Sequence, residues 1–480
     1  MVIIGGIIDR RLMILKGPLM ETDTKQIVDE AKVNAILEKT ENPSKEIVLS
    51  ILKKARGRKG LSPEETGYLV NANEPEQLKE MFRVASLIKN EIYGERLVFF
   101  APLYASDYCI NDCLYCNFHA SNKDTKRTKL TLDEVKRQTE ILINMGHKRV
   151  LLEFGEDPRQ NDIDYVCDVV NAVYSVRTPK GNIRRINLNI AATTTENYRK
   201  IKNTNIGTYQ LFQETYHRET YKKLHPKGPK SDYNRQITAH ERALEAGIDD
   251  RGLGVLFGLY DWRFEVISLI SHAEYLERAG GVGPHTISVP RICEAPTVLY
   301  SPEYPVADAD FLKLIAIIRL AVPYTGMIIS TRETAEIRKT AYKIGISQTS
   351  AASVTTTGGY GKKTATAQFE THDKRSVEEV VAAAVEDGLL PSFCTACYRM
   401  GRTGENFMGI AKPGEIHEYC RPNGILTFAE YLEDFAPAGL KAKGYALIGT
   451  YLEQIEDIRL KQKTKEHLEL VKKGKRDLYF

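Results

Sequence analysis

The sequence predicts an α/β protein built on a closed (βα)₈ barrel of the TIM type, preceded by a helical segment and followed by a helical extension. Three observations support this prediction. Short apolar runs alternate with amphipathic helical patterns from about residue 96 to 353, eight such runs recur at near-regular spacing, and the 480-residue chain leaves room on both sides. Alternating strands and helices indicate parallel pairing, and eight units over about 250 residues is the size of such a barrel.

The eight predicted strands read, in order, RLVFFAPLY, RVLLEF, INLNIAA, GTYQLFQE, RGLGVLFGL, HTISVPRI, GMIISTRE and ISQTSAAS. Helical patterns separate them, as in TLDEVKRQTEILINMG, where Thr131 is the expected cap. A doubly wound open sheet is the alternative. That fold would place a glycine-rich turn after the first strand, and cysteines follow it here instead.

The chain divides into a helical segment at 1–90, the barrel at 91–355 and the extension at 356–480. Within the first segment, Ser62 and Glu65 have the spacing of a capping box. After residue 355 we expect a Gly- and Thr-rich loop, a helix at 376–388 and a loop-like cysteine stretch. Two closing helices follow, LTFAEYLEDFA and one long helix from GYALIG to KKG.

Composition narrows the class of protein. The net charge of +4 is small for 480 residues and gives no case for nucleic-acid binding. No run of 18 apolar residues predicts a membrane span, and residues 1–20 do not read as a signal peptide. We therefore expect a cytoplasmic protein in which clustered cysteines stay reduced and hold metal.

The first cysteine group is Cys109, Cys113 and Cys116, directly after the first predicted strand. In a barrel of this kind, that loop lies at the active-site end. Three thiolates suit three irons of a 4Fe–4S cluster and leave the fourth iron open to another ligand. The alternative is a zinc site completed by His119.

This spacing, with Tyr115 before the last cysteine, resembles the radical S-adenosylmethionine superfamily. The resemblance implies that S-adenosyl-L-methionine occupies the open iron. It also implies that Gly155 and Glu156 of the GEDP turn face the methionine group of this cofactor, with Tyr115 and Phe118 beside it.

Further stretches resemble the tyrosine lyase branch of that superfamily: QLFQETYHRETYKKLHP, SVPRI and ISTRE. They imply that L-tyrosine is the substrate. Arg332 would grip the carboxylate of the amino acid by paired hydrogen bonds. The other residues implied at the cofactor or the substrate are Glu214, Tyr216, His217, Tyr221, Arg291 and Ser330.

The second group, Cys394, Cys397 and Cys420, resembles the HydG family of FeFe-hydrogenase maturases. It implies an auxiliary 4Fe–4S cluster that carries a fifth, "dangler" iron bridged by free L-cysteine. A protein histidine would help to hold that iron. His285, at the bottom of the barrel, is preferred over His272, and a zinc site completed by His417 is the alternative.

The implied reaction cleaves L-tyrosine to p-cresol and dehydroglycine and converts dehydroglycine to carbon monoxide and cyanide. Both would assemble into an Fe(CO)₂CN–cysteine unit for the hydrogenase H-cluster. Six to eight residues per strand separate the clusters by about 20–26 Å, which predicts a tunnel along the barrel. Implied partners are an electron donor such as ferredoxin or flavodoxin and the maturation proteins that receive the iron unit.

Two other functions remain as alternatives. A tyrosine lyase of thiamine synthesis would release dehydroglycine, but such enzymes lack the second cysteine group. A non-enzymatic iron–sulfur carrier would not need the GEDP turn or the strand-end arginines.

Overall fold

The computed structural model describes residues 23–361 and 367–480. The expectation that residues 1–20 are not a signal peptide therefore lies outside the described residues, as does the end of the predicted Gly- and Thr-rich loop. Within the described ranges, no helix combines the length and apolar character needed to cross a bilayer.

Eight parallel strands close into a barrel, which confirms the predicted fold and excludes the open sheet. Each strand pairs with the next, and the first pairs with both the second and the eighth. The strands are β1 (Arg96–Ser106), β2 (Arg149–Phe154), β3 (Arg185–Asn189), β4 (Tyr209–Gln210), β5 (Arg251–Gly254), β6 (Thr286–Ser288), β7 (Gly326–Ile329) and β8 (Gln348–Ser350). β1 and the surrounding helices bury two large apolar clusters, one with Leu97 and Phe99 and one with Ala101, Leu103 and Ala105.

Helices precede the barrel, surround it and follow it. Those before it are α1 (Glu30–Lys39), α2 (Lys45–Ala55), α3 (Pro63–Asn71) and α4 (Pro75–Tyr93). Those within it are α5 (Leu132–Asn144), α6 (Ile163–Ser175), α7 (Thr195–Asn203), α8 (Arg218–Leu224), α9 (Tyr233–Ile237), α10 (Ala239–Glu245), α11 (Trp262–Gly280), α12 (Asp308–Ala321) and α13 (Ala335–Ile344). Ser62 and Thr131 both form capping boxes, as their spacing predicts.

The C-terminal extension adds a ninth strand that the sequence analysis missed. Its elements are α14 (Val377–Glu386), β9 (Leu390–Ser392), α15 (Ala396–Arg399), α16 (Gly404–Ala411), α17 (Ile416–Asp434), α18 (Ala438–Glu453) and α19 (Ile458–Lys472). β9 pairs in parallel with Arg96–Val98 of β1. The cysteine stretch is largely helical rather than loop-like. The prediction of one long closing helix is wrong, because the helix is interrupted between α18 and α19.

Candidate active site

The loop after β1 carries Cys109, Cys113 and Cys116 and is held by backbone hydrogen bonds on two sides. Ile110 donates to the carbonyl of Glu156 over 2.8 Å, and Leu114 donates to the carbonyl of Leu224 over 3.0 Å. The loop therefore lies fixed between the turn after β2 and the end of α8, so the three thiols have a defined place.

The three thiols line a cavity of about 130 Å³ at the carboxyl end of the barrel. Burial raises the pKa of Cys109, raises that of Cys113 well above its usual range, and raises that of Cys116 to about 11. A buried thiol of this kind needs a strong positive centre to ionise, and iron provides one. The donor set thus fits an iron–sulfur cluster held by three thiolates.

The turn after β2 approaches the cysteine loop closely. A Cβ atom on Gly155 would overlap the carbonyl of Tyr108, so only glycine fits at this position. Glu156 accepts hydrogen bonds from Asn111 over 2.6 Å and from Arg235 over 2.7 Å. Gly155 and Glu156 line the cysteine cavity together with Tyr115 and Phe118, as the sequence predicts.

A second cavity, of about 160 Å³, continues into the barrel and is lined by Arg332, Ser330 and Glu214. The Arg332 guanidinium lies over the ring of Phe369, 3.3 Å from its centroid. Arg332 forms no ion pair with any described residue; the neighbouring carboxylate of Glu333 pairs with Arg291 instead. The Nη1 of Arg332 makes only a long hydrogen bond, 3.5 Å, to the carbonyl oxygen of Arg291. A guanidinium without an ion pair inside a cavity can bind a ligand carboxylate.

Two further residues, neither of them predicted from the sequence, line these two upper cavities. Glu153, on β2, lines both, and burial raises its pKa to about 8. Lys230 lines the cysteine cavity and donates to Glu214 over 2.5 Å. Glu153 could have been found from strand periodicity, because it shares the inward face of a buried strand with Leu151.

Four other predicted site residues lie outside both upper cavities. Tyr216 is buried and contacts His272, with its hydroxyl 2.9 Å from Nδ1. His217 caps α8 and stacks on Tyr260 at 3.8 Å. The two remaining residues hold loops in place: the Tyr221 hydroxyl donates to the carbonyl of Lys230, and Arg291 pairs with Asp308 and Glu333.

The second cysteine group lies at the opposite end of the barrel. Cys394, Cys397 and Cys420 line a cavity of about 50 Å³ together with His285. A hydrogen bond from Cys420 lowers the pKa of Cys397 to about 5. Two buried cysteines and the partly exposed Cys397, whose thiol ionises readily, fit a second iron–sulfur cluster.

The two candidate histidines differ in position. His285 is 7% exposed, lines the lower cavity, and has Nδ1 3.0 Å from a carboxylate oxygen of Asp250. A metal-binding histidine usually has a carboxylate or carbonyl on its other nitrogen, which matches this arrangement. His272 is packed in α11 between Tyr216 and His240 and does not line the lower cavity.

The histidines of the two zinc alternatives are engaged elsewhere. His119 Nδ1 lies 2.7 Å from the carbonyl oxygen of Cys116. His417 Nδ1 lies 2.6 Å from the carbonyl oxygen of Gly414, and its Nε2 lies 2.8 Å from Glu418. Neither histidine is among the residues that line the cysteine cavities.

The upper and lower cavities share no lining residue. Phe100, Leu151 and Ile328 form a small apolar layer between them, on three strands of the barrel interior. From Val98, which pairs with the end of β9, to Ser106 is eight residues, or about 26 Å along an extended strand. The predicted tunnel would pass through this apolar layer.

Comparisons with known proteins match this architecture. A radical SAM superfamily model matches residues 103–268, and a model of the biotin and thiamin synthesis associated domain matches residues 288–390. The 2-iminoacetate synthase of Escherichia coli (strain K12) is 31% identical over 69% of this chain and 84% of its own length. The [FeFe] hydrogenase maturase subunit HydE of Thermotoga maritima is 27% identical over 62% of this chain and 76% of its own length.

Two solved structures are similar over nearly the whole chain. One, of HydG, a maturase of the [FeFe]-hydrogenase, is 52% identical with a TM-score of 0.92 and covers 95% of this chain and 100% of its own. The other, of the FeFe-hydrogenase maturase HydG from Carboxydothermus hydrogenoformans, is 37% identical with a TM-score of 0.83. It covers 94% of this chain and 100% of its own.

Proposed function

The chain belongs to the HydG family of FeFe-hydrogenase maturases within the radical S-adenosylmethionine superfamily, and from this we propose that it cleaves L-tyrosine and builds an iron carbonyl–cyanide unit. The products at the first site would be p-cresol and dehydroglycine. Dehydroglycine would then give carbon monoxide and cyanide. These would assemble on iron at the second site into an Fe(CO)₂CN–cysteine unit. The observation that carries this proposal is the presence of two cysteine triplets at opposite ends of one barrel.

At the upper end, Cys109, Cys113 and Cys116 would hold a 4Fe–4S cluster, and Glu156 would face bound S-adenosylmethionine. When bound, this pair supplies a 5′-deoxyadenosyl radical that abstracts hydrogen from the substrate. The protein residues orient the ligands and exclude water. The close packing of Gly155 on Tyr108 and the hydrogen bonds to Glu156 keep the turn rigid for that task.

Tyrosine would occupy the barrel cavity, with its carboxylate on Arg332 and Ser330. Glu153 and Glu214 lie at the junction with the cysteine cavity, where the amino group of the substrate must meet the cofactor. Lys230 neutralises Glu214. Glu153, whose pKa burial raises to about 8, would be largely protonated near neutral pH and is placed to donate a hydrogen bond to the bound substrate.

At the lower end, Cys394, Cys397 and Cys420 would hold the auxiliary cluster, and His285 would ligate the dangler iron that free L-cysteine bridges. Asp250 would fix the orientation of the His285 ring. An electron donor such as ferredoxin or flavodoxin would reduce the first cluster, and hydrogenase maturation proteins would receive the iron unit. The proposed place of action is the cytoplasm.

Anaerobic incubation with S-adenosylmethionine, L-tyrosine and dithionite tests the proposal. Release of p-cresol together with carbon monoxide is the expected result. Release of p-cresol with glyoxylate but no carbon monoxide would indicate a tyrosine lyase of thiamine synthesis instead. Formation of neither product by protein that contains both clusters would indicate a carrier.

Changing Arg332 to alanine is expected to raise the KM for tyrosine, because it removes the cation that faces the substrate carboxylate. Loss of a buried carboxylate pair corresponds to about 2–4 kcal/mol. Cleavage of S-adenosylmethionine without tyrosine should persist. The control is Arg291→Ala, which breaks the ion pairs to Glu333 and Asp308 and should lower thermal stability more than it raises KM. An unchanged KM in the Arg332 variant would remove Arg332 from the substrate site.

A second pair of variants distinguishes the roles of His285 and His272. His285→Ala should reduce the infrared Fe–CO and Fe–CN signals under turnover while p-cresol release continues, since the dangler iron loses its protein ligand. His272→Ala should mainly lower stability, because it leaves the buried Tyr216 hydroxyl without its partner. If His272→Ala alone removed the infrared signals, the role of iron ligand would pass to His272.

A further inference from the structure

The first cysteine loop meets solvent at Leu114. In the loop 109–116, which the structure describes in full, the other residues are buried or half-buried, whereas the Leu114 side chain is 40% exposed. The residue before it, Cys113, is only 6% exposed. Consecutive Cα atoms are about 3.8 Å apart. The surface at Leu114 therefore gives an electron a short path from outside the protein to the first cysteine triplet.

Buried Leu224, at the end of α8, closes the structure next to Leu114. Its carbonyl accepts a hydrogen bond from the Leu114 N–H over 3.0 Å. Its side chain packs in one apolar cluster with Cys113 and Tyr115. Such packing keeps water away from the cysteine while the triplet stays close to the surface.

A second exposed leucine, Leu299, lies in the segment between β6 and α12 and is fully exposed. Its neighbour Tyr300 contacts Tyr115 of the cysteine loop, with 6.4 Å between ring centroids. Glu303 of the same segment pairs with Lys223 of α8. Leu114 and Leu299 therefore lie on neighbouring segments of one surface.

Three exposed lysines flank Leu114. Lys222 is in the last turn of α8, the helix whose end bonds to Leu114. The carbonyl of Lys227 accepts a hydrogen bond from the N–H of Asp112 over 3.1 Å. Lys123 lies two residues beyond a serine whose hydroxyl donates to Asp112 over 2.6 Å. The cysteine loop thus lies between two segments that both present lysines to solvent.

The charges of these two segments are not balanced. Lys123, Lys222 and Lys227 form no ion pair with any described residue. Between them, residues 112–127 and 222–230 contain two acidic residues; Asp112 is buried and bonded to a serine, which leaves Asp124 as the exposed one. A surface of this kind attracts an acidic partner.

We propose that Leu114, Leu299, Lys123, Lys222 and Lys227, here called the cluster face, dock an acidic protein that carries one electron. The reduced carrier is oxidised by one electron and the first cluster is reduced by one; no bond forms or breaks in this step. An apolar centre inside a charged rim suits the small interface of a transient electron-transfer complex. The position over a redox centre selects an electron carrier among acidic partners. This inference rests on the proposed function, since it takes the first triplet to hold a reducible cluster.

The test compares two reductants of the anaerobic holoenzyme. One is reduced flavodoxin, an acidic carrier protein, and the other is photoreduced 5-deazariboflavin, a small neutral molecule; formation of 5′-deoxyadenosine with L-tyrosine present is the readout. The double variant Lys222→Glu with Lys227→Glu should raise the KM for flavodoxin about tenfold or more, because it repels the acidic carrier. Its rate with 5-deazariboflavin should stay within about twofold of wild type, since neither lysine lines the cavities described above.

Salt and a second substitution check the same face. Added salt should slow wild-type turnover with flavodoxin, because exposed charges are screened beyond about 10 Å at 0.1 M, and the lysine variant should lose this dependence. Leu114→Glu should raise the KM for flavodoxin in the same way, whereas Leu114→Met should not. Lys222→Arg with Lys227→Arg should keep the wild-type KM. Lys463→Glu, exposed on α19, is the control for charge reversal elsewhere and should change neither rate.

The outcomes separate this proposal from the one on which it rests. An unchanged KM for flavodoxin in both the lysine and the Leu114→Glu variants would show that the cluster face is not the docking site, as would an equal effect of Lys463→Glu. Equal loss of both rates in the lysine variant would assign these lysines to the cysteine loop itself and overturn the proposal. Wild type that turns over with 5-deazariboflavin but with neither flavodoxin nor ferredoxin would overturn it and leave the proposed function intact. If wild type with its first cluster formed no 5′-deoxyadenosine with any of these reductants, the proposed function itself would fail.

Discussion

Replacement of Cys113 by alanine is expected to abolish both the cleavage of S-adenosylmethionine and the release of p-cresol. Cys113 is buried at the centre of the cysteine loop, between Cys109 and Cys116, and two thiolates cannot hold a site-differentiated 4Fe–4S cluster in the same orientation. The loss should reach the detection limit, because the radical chemistry has no other source. Deoxyadenosine and p-cresol, both measured by chromatography, report the result.

Cys167→Ala is the matched control for that variant. Cys167 lies on α6, is partly exposed and lines none of the three cavities described above. The Cys167→Ala variant should keep full activity. That result would show that the loss of activity in Cys113→Ala does not come from removing a thiol at any position. Tyrosine cleavage that survived in the Cys113 variant would contradict the assignment of the first triplet.

The double variant Cys394→Ala with Cys397→Ala is expected to separate the two halves of the reaction. p-Cresol release should continue, because the upper cavities share no residue with the lower one. Carbon monoxide bound to iron should fall sharply, because no iron remains at the lower end to collect it. Infrared spectroscopy of Fe–CO and Fe–CN stretches under turnover measures this loss.

The same double variant should leave the barrel folded. The two cysteines lie beyond β9, whose backbone pairing with β1 does not depend on their side chains. Thermal unfolding and iron content, one cluster instead of two, are the checks. An undiminished Fe–CO signal in a variant with a single cluster would refute the assignment of two sites.

Much of the barrel could be predicted from sequence periodicity, but the strand ends could not. β2 begins and ends where the pattern RVLLEF predicts, whereas GTYQLFQE forms only the two-residue strand Tyr209–Gln210. The residues after it still hydrogen-bond to β5, from Leu211 to the carbonyl of Gly252 and from Gln213 to that of Gly254, but the strand becomes irregular, and Glu214 has a positive φ of 69°. Apolar and aromatic residues at strand ends look alike in sequence whether they pair or line a cavity.

The residues of the candidate site could be predicted where they belong to a recognisable sequence motif. The two triplets, the GEDP turn, Arg332 and His285 all line the expected cavities. Tyr216, His217 and Arg291 come from equally suggestive stretches but contact the protein itself, because their partners His272, Tyr260 and Glu333 are distant in sequence. β9 was missed because three residues that include a proline give no strand signal on their own.

The pairing of β9 with β1 determines how the protein can be divided. Arg96–Val98 of β1 pairs with β9, and α17 packs over both strands. Cutting the chain after residue 387 would leave that part of β1 as an open edge, free to pair with other chains, and would uncover apolar surface. A shortened enzyme with only the first chemistry is therefore not obtainable by truncation. The second site is therefore not a detachable module of this chain.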